Sequence, residues 1–261
     1  MRPISRRAFL LAAFVAALAG VGLVSSRLYR ADPELPPASA PQPEHVVLLH
    51  GLGRSEVAMG ELERRLQDAG YVVHNIGYPS RDETPEKLVA LIGEKVAACC
   101  ANIGSPTHFV THSLGGLLLR AYLTDKPLKN LGRVVMLGPP NQGSDLVDKY
   151  GDTWLFKKAL GPTAARLGTK PDSLPNLLGP PYYEVGIIAG NASFNPISSN
   201  MIPGEDDGVV AVEATKLEGM RDFLVLNTSH TMMRRDPEVA AETLHFLKHG
   251  RFSRSSMKRD G

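Results

Sequence analysis

One continuous stretch decides the fold, namely His108-Phe109-Val110-Thr111-His112-Ser113-Leu114-Gly115-Gly116-Leu117-Leu118-Leu119. Its first half is apolar and rich in residues that favour a buried strand, and its second half has the composition of a helix. The two halves meet at Ser113 without a loop between them. Gly115 would let the new helix approach a strand closely, because glycine carries no Cβ. The sequence therefore predicts a sharp strand-to-helix turn that presents a serine hydroxyl.

Strand and helix patterns alternate on both sides of this turn, which is typical of βα units and a parallel sheet. Six strands are predicted, at 45–49, 71–76, 107–111, 133–137, 183–189 and 222–227. Helical periodicity is found at 56–69, 85–101, 114–125 and 237–248. The predicted fold class is α/β, with a sheet of about six mostly parallel strands flanked by helices, in one domain over residues 45–249.

Residues 139–181 interrupt the alternation between the fourth and fifth strands. This segment holds Trp154, Leu160 and Leu167 among glycines and prolines, and it is longer than an ordinary connection. We expect a small, partly helical insertion over one end of the sheet. It could line or cover an apolar pocket, or it could be an inert packed excursion.

The turn at Ser113 resembles the nucleophile elbow of hydrolytic enzymes, a strained strand-to-helix turn that projects a serine above the sheet. Thr111 stands where such an elbow usually has its first glycine, and a β-branched residue there could crowd the turn. A Ser-x-Gly pattern alone is a weak signal. Its position between a strand and a helix makes it considerably stronger.

A second glycine loop, His50-Gly51-Leu52-Gly53, ends the first predicted strand. A serine nucleophile needs two backbone N–H groups aimed at the developing oxyanion, and we expect them at Leu52 and Leu114. A nucleotide-binding loop is the alternative, but Glu56 stands at its third glycine position and the chain has no P-loop.

A serine hydroxyl also needs a base, and the base needs an orienting carboxylate. His230 follows the last predicted strand, and Asp207 directly precedes Gly-Val-Val before that strand. Asp206 is the second choice for the acid. The alternatives are a strand-end histidine of no special role and an acidic turn, at 205–207, that is solvated or binds calcium.

The remaining histidines and the cysteines favour structural roles. We expect His50 and His112 to pack and form hydrogen bonds beside Ser113, as a supporting loop with Gly51 and Gly115. His108 and His112 lie about 13 Å apart on a strand, too far to share a metal ion. Cys99 and Cys100 are interpreted as small apolar helix residues, because a bridge between neighbours is strained. No metal site is expected.

The formal net charge is +2, and the excess of basic residues lies at the two chain ends. Residues 1–30 hold five arginines and no acid, and the part between them and residue 249 has 20 basic and 26 acidic residues, a net charge of −6. No basic stripe interleaves with aromatic residues, so a nucleic-acid partner is not expected.

Residues 8–26 form a charge-free stretch of 19, and the sequence around its start, Ser5-Arg6-Arg7-Ala8-Phe9-Leu10, resembles a twin-arginine export signal. Residues 1–30 are therefore predicted to be a signal or a membrane anchor, placing the protein in the periplasm or at the outer face of the inner membrane. Residues 31–44 contain five prolines and predict a linker. Residues 250–261 are predicted to be a basic tail.

From about residue 45 to residue 248 the chain resembles the α/β-hydrolases, and it is most similar to small bacterial lipases and esterases. The resemblance rests on His50-Gly51-Leu52-Gly53, on the turn at Ser113, on Asp207-Gly208-Val209-Val210 with His230, and on residues 137–144. It implies a compact hydrolase fold, without the two N-terminal strands of larger members, whose nucleophile, acid and base occur in the order Ser113, Asp207, His230.

That resemblance implies cleavage of a hydrophobic acyl ester through an acyl-serine, without a cofactor, by a protein that is expected to be a monomer. An acyltransferase or a thioesterase would use the same residues. A member of another class, a catalytically silent hydrolase fold that is tethered to a membrane and binds a lipid or a protein, is the remaining alternative. Labelling of Ser113 by a fluorophosphonate distinguishes the enzymes from the silent fold.

Overall fold

The computed structural model describes residues 42–100, 103–193 and 201–254, with the side chains of residues 155–157 left out. The chain divides into two units, residues 1–42 and 43–261, and only the second is treated below. The predicted export segment, most of the predicted linker and the predicted tail beyond Arg254 lie outside the described residues.

The second unit is built on a six-stranded sheet in the order β2-β1-β3-β4-β5-β6. Every pair of neighbouring strands is parallel, so the predicted mostly parallel sheet is confirmed. The strands are β1 (His45–Leu49), β2 (Val72–Ile76), β3 (Thr107–His112), β4 (Leu131–Leu137), β5 (Val185–Gly190) and β6 (Asp222–Leu226).

Eight α-helices are described between and after these strands. They are α1 (Gly60–Asp68), α2 (Pro85–Cys100), α3 (Leu114–Asp125), α4 (Asp145–Tyr150), α5 (Trp154–Ala164), α6 (Leu174–Leu177), α7 (Val212–Thr215) and α8 (Pro237–His249). A short 3₁₀ helix, Glu56–Met59, precedes α1, so the single helix predicted at 56–69 is two elements. Helix α7 was not predicted.

Helices cover both faces of the sheet, so that every residue of the strands β3 and β5 is buried, polar or not. Val47 and Phe109 pack with residues of α2 and α3 on one face. Val46 and Val110 pack with residues of α1 and α8 on the other face. Alternate residues of β1 thus enter two different hydrophobic clusters, as the two-residue period of a strand requires.

The predicted insertion between the fourth and fifth strands is present as α4, α5 and α6. Helix α5 is kinked at Gly161, where φ is 80°, and Pro162 follows. The buried guanidinium of Arg120 in α3 ties the insertion to the body, because it donates hydrogen bonds to Asn141 Oδ1 at 3.1 Å and to the Leu178 carbonyl at 2.8 Å.

Two further features of the domain differ from the sequence-based expectations. Cys99 and Cys100 are joined by a disulfide, so their interpretation as unpaired helix residues was wrong. Residues 250–254 pack on the domain: Phe252 is buried, and Arg254 forms an ion pair with Asp222. Within the described ranges, none of the helices is long and apolar enough to cross a membrane.

Candidate active site

Ser113 lies between β3 and α3, at the carboxyl end of the sheet. The strand order reverses there, because β1 lies between β2 and β3, and ligands of open α/β sheets bind at such a switch point. Ser113 has φ 54° and ψ −123°, a conformation that a non-glycine residue seldom adopts. Its N–H donates to the Leu137 carbonyl at 2.9 Å. The backbone geometry is that of the strained elbow which the sequence predicts.

Two glycines of α3 make the elbow sterically possible. A Cβ at Gly115 would lie only 2.6 Å from the Leu49 carbonyl oxygen, so this position tolerates no side chain. A Cβ at Gly116 would lie 3.3 Å from Thr111 Oγ1. Thr111 was expected to crowd the turn. Its hydroxyl fits because Gly116, on the other side of the turn, has no side chain.

Ser113, His230 and Asp207 form one chain of hydrogen bonds. His230 Nδ1 donates to Asp207 Oδ2 at 2.7 Å, and the Ser113 hydroxyl lies 3.0 Å from His230 Nε2, as donor to the ring nitrogen. The other Asp207 oxygen, Oδ1, accepts the N–H groups of Val209 and Val210 at 3.0 and 2.8 Å. Asp207 is 2% exposed. The carboxylate is therefore fixed, and it fixes the imidazole with its free nitrogen toward the serine.

The structure brings Asp207, and not Asp206, to His230. Asp206 Oδ1 instead accepts the Gly208 N–H at 2.7 Å and so shapes the acidic turn. The His230 N–H donates to the Asp207 carbonyl at 2.9 Å, which adds a second link between the two loops.

The loop after β1 lies against the nucleophile turn. A Cβ at Gly51 would lie 3.1 Å from Ser113 Cβ, so the backbone beside Leu52 passes next to the serine. Leu114 begins α3, and the first N–H groups of a helix have no intrahelical acceptor. Leu52 and Leu114, the residues expected to supply the two N–H groups, therefore both lie near Ser113.

His50 holds this loop in place through a tyrosine. The Tyr78 N–H donates to His50 Nε2 at 3.2 Å, so His50 Nδ1 carries the proton and donates to the Gly51 carbonyl at 2.9 Å. The Tyr78 hydroxyl donates to the His50 carbonyl, and the two rings stack at 3.9 Å. Burial lowers the pKa of His50, which keeps its imidazole neutral.

His112 supports the base from the other side. Its Nε2 donates to the His230 carbonyl at 2.8 Å, and its ring centroid lies 4.8 Å from that of His230. Burial, with a smaller contribution from the charge of His230, holds the pKa of His112 well below its usual value. His112 is therefore a neutral hydrogen-bond donor to the segment that carries His230.

An apolar cavity of about 260 Å³ opens at Ser113, and we call it the apolar cavity. The insertion supplies one wall, which agrees with the expectation that it lines a pocket. Pro140 and Ser144, from the segment that resembles a lipase loop, also line it. The principal apolar lining residues are Leu52, Leu146, Val147, Leu160, Ala164 and Leu167.

Comparison with known proteins gives one family model and a set of similar folds. A family model described as palmitoyl protein thioesterase matches residues 45–174. No curated protein matches the chain significantly in sequence. The mature lipase of Bacillus licheniformis is 21% identical with a TM-score of 0.65, and the match covers 84% of this chain and 96% of that chain.

Two further solved structures have the same fold. A carboxyl esterase from a metagenome is 20% identical with a TM-score of 0.60, over 78% of this chain and 71% of that chain. The phospholipase PlaB of Legionella pneumophila is 18% identical with a TM-score of 0.60, over 79% of this chain and 58% of that chain. The chain has the α/β-hydrolase fold. The fold class implied by the resemblance is thus confirmed.

Sequence reasoning missed two residues that organise this α/β-hydrolase site. Tyr78 locks His50, and Ser80 accepts the Gly53 N–H at 2.9 Å, so the segment after β2 holds both ends of the loop after β1. The only sequence signal is their position just after a strand end, in Gly77-Tyr78-Pro79-Ser80. Contacts between loops are set by the sheet order, which this segment alone does not reveal.

One group of potential metal ligands is found among the described residues, and it is separate from Ser113. His74, Cys99 and Cys100 place their ligand atoms within 4.8 Å of one another, on β2 and at the end of α2. Their two sulfurs are bonded to each other, and a disulfide offers no thiolate for a metal ion. None of these three residues takes part in the hydrogen-bonded chain of Asp207, His230 and Ser113.

Proposed function

We propose that the protein is a serine hydrolase that cleaves carboxylic esters and thioesters through an acyl-serine intermediate. The observation that carries the proposal is the hydrogen-bonded chain from Asp207 through His230 to Ser113, at a strained elbow that opens into an apolar cavity. The substrate is an acyl compound whose apolar chain enters that cavity. The similar folds of a lipase and an esterase support the reaction class.

In the proposed reaction His230 carries each transferred proton. Ser113 Oγ attacks the carbonyl carbon while His230 Nε2 accepts its proton, and Asp207 stabilises the resulting imidazolium. The N–H groups of Leu52 and Leu114 stabilise the oxyanion of the tetrahedral intermediate. His230 then donates its proton to the departing oxygen or sulfur. Water attacks the acyl-serine by the same route in reverse, and no cofactor takes part.

The thioester part of this proposal is supported by the palmitoyl protein thioesterase model, which matches residues 45–174. The matched range contains Ser113 and the loop after β1, but neither Asp207 nor His230.

An acyltransferase would form the same acyl-serine and resolve it with an alcohol in place of water. A silent fold would leave Ser113 unlabelled.

The test is reaction with a fluorophosphonate, followed by hydrolysis of esters and thioesters of graded acyl length. We expect the label on Ser113, and we expect Ser113→Ala to lower kcat by about four to six orders of magnitude. Ser105→Ala is the matched control, since Ser105 lies before β3 at the opposite end of that strand. Near-normal turnover in Ser113→Ala, or no labelling of the folded protein, would contradict the proposal.

We further propose that residues 1–30 export the folded domain and either are removed or remain as an anchor. The arginine pair followed by a charge-free apolar stretch supports this proposal. Arg6→Lys/Arg7→Lys should retain the protein in the cytoplasm, and cell fractionation of the full chain measures the effect. Unchanged distribution of this variant would contradict export by a twin-arginine route.

A further inference from the structure

A second cavity, of about 580 Å³, adjoins the apolar cavity and is lined by four arginines. Arg54 and Thr231 line both cavities, so the two lie next to each other at these residues. We call the second one the arginine cavity. Its arginines come from three loops, after β1, β2 and β6, and they are Arg54, Arg81, Arg234 and Arg235.

The arginine cavity has an excess of positive charge in a domain whose net charge is negative. Asp82 is the one carboxylate among its lining residues. In the described part of the chain, Arg54, Arg81 and Arg235 form no ion pair, and all three are exposed. Four guanidinium groups therefore converge on one concave surface without matching counter-charges.

Arg234 is the most unusual member, because it is 5% exposed. One of its terminal nitrogens donates to the Ala58 carbonyl at 2.8 Å, while its Nε has no hydrogen-bond partner in the described structure. Burial, and then the charges of Arg54 and Arg235, lower the pKa of Arg234. A buried cation that lacks an anionic partner is costly, so an anion in this cavity would stabilise it.

The arginine cavity adjoins the segment that carries His230. Thr231 is the next residue and lines both cavities, and Arg234 and Arg235 follow in the same segment. In the proposed reaction His230 donates its proton to the departing oxygen or sulfur, so the leaving group lies beside His230. An acyl chain in the apolar cavity would leave the arginine cavity to the alcohol or thiol part of the substrate.

We propose that the arginine cavity binds a phosphate group carried by the leaving alcohol or thiol of the substrate. This proposal rests on the proposed hydrolysis at Ser113 and names its substrate class. Guanidinium groups suit phosphate because they donate paired, charge-assisted hydrogen bonds to its oxygens. Such a phosphate belongs either to a lipid headgroup or to a coenzyme A thioester.

The experiment compares matched pairs of substrates that differ in phosphate alone. Monooctanoylglycerol is compared with 1-octanoyl-lysophosphatidic acid, and S-octanoyl-pantetheine with S-octanoyl-4′-phosphopantetheine, which carries a phosphate at the position where coenzyme A has one. We expect kcat/KM to be about 10- to 100-fold higher for the phosphorylated member of at least one pair, because each charged hydrogen bond contributes substantially. The pair that responds identifies the source of the phosphate. The preference should decrease in about 0.5 M salt.

The variant Arg81→Gln/Arg235→Gln removes two exposed charges of the cavity. It should abolish the preference and leave kcat/KM for the neutral member within about twofold, since it removes only these charge-assisted hydrogen bonds. Arg251→Gln, an exposed arginine after α8, is the matched control and should keep the preference. Equal rates for both members of each pair in the parent protein, or a preference that survives the double variant, would overturn the proposal.

A binding measurement separates this inference from the proposed function. Ser113→Ala does not turn over substrate, so calorimetry with this variant measures affinity for each of the four compounds. Tighter binding of a phosphorylated compound, lost in Ser113→Ala/Arg81→Gln/Arg235→Gln, supports the arginine cavity even if no ester is hydrolysed. Equal affinity within both pairs overturns it even if neutral esters are hydrolysed rapidly.

Discussion

The apolar cavity and the arginine cavity meet at Arg54 and Thr231 but are built in opposite ways. The apolar cavity takes much of its wall from one continuous segment, the insertion between β4 and β5. The arginine cavity takes its charges from three separate loops at the carboxyl end of the sheet. Substitutions in the insertion alone can therefore change the shape of the apolar cavity. The arginine cavity instead depends on how the sheet places three loops next to one another.

Because they are built differently, we expect the two cavities to bind different parts of the substrate, on either side of Ser113. In the proposed reaction the apolar cavity selects the length and shape of the acyl chain, because binding there increases with the apolar area that is buried. The arginine cavity selects the charge of the leaving group in the same proposal. Ser113, His230 and Asp207 serve both, so variants at the centre should affect all substrates, and variants in one cavity should affect only one property.

The largest effect is expected from Asp207→Asn, which removes the carboxylate that orients His230. The amide cannot hold the imidazole in the same tautomer, and kcat should fall by about 10³- to 10⁴-fold. The loss should be equal for neutral and phosphorylated substrates, and steady-state kinetics on the matched pairs measures it. Asp206→Asn is the control and should cost far less, because Asp206 does not contact His230 Nδ1. A loss confined to one substrate class would contradict a shared centre.

A smaller effect is expected from Leu160→Ala, which changes the apolar cavity alone. Leu160 is half-buried in the cavity wall, and its truncation removes contacts with a long acyl chain. The value of kcat/KM should fall about 10-fold for octanoyl esters and less than about twofold for acetyl esters, in keeping with about 1–3 kcal/mol for such a pocket contact. The preference for phosphate should not change. A changed phosphate preference would show that the two cavities are not independent.

The same contrast explains how much could be predicted from the sequence. The strands, the elbow at Ser113 and the insertion are continuous patterns, and each was predicted close to its observed place. His230 and Asp207 could be inferred because strand ends meet at one edge of a parallel sheet. The four arginines, Tyr78 and the room that Gly116 leaves for Thr111 depend on contacts between distant segments. The bond between Cys99 and Cys100 was not predicted, because a bridge between neighbouring residues is strained.

The smallest effect is expected in the dependence of stability on pH. It involves His112, which lines the apolar cavity and whose pKa is affected by Arg54 and Arg234 of the arginine cavity. The pKa of His112 in the folded protein is well below 6.5, mainly through burial, and its neighbours His230, Arg234 and Arg54 lower it further. Because the unfolded chain takes up the proton near pH 6.5 and the folded chain does not, stability is complete above that pH and decreases below it. The decrease contributed by His112 is at most about 1.4 kcal/mol per pH unit.

Chemical denaturation between about pH 7 and pH 5 measures this slope, and His112→Gln should reduce it. Arg54→Gln should reduce the total loss slightly, because removing that charge raises the pKa of His112 toward its unfolded value. Arg251→Gln does not face His112 and should leave the loss unchanged. If Arg54→Gln and Arg251→Gln behave alike, the charges of the arginine cavity do not reach the apolar one, and the two cavities are electrostatically separate.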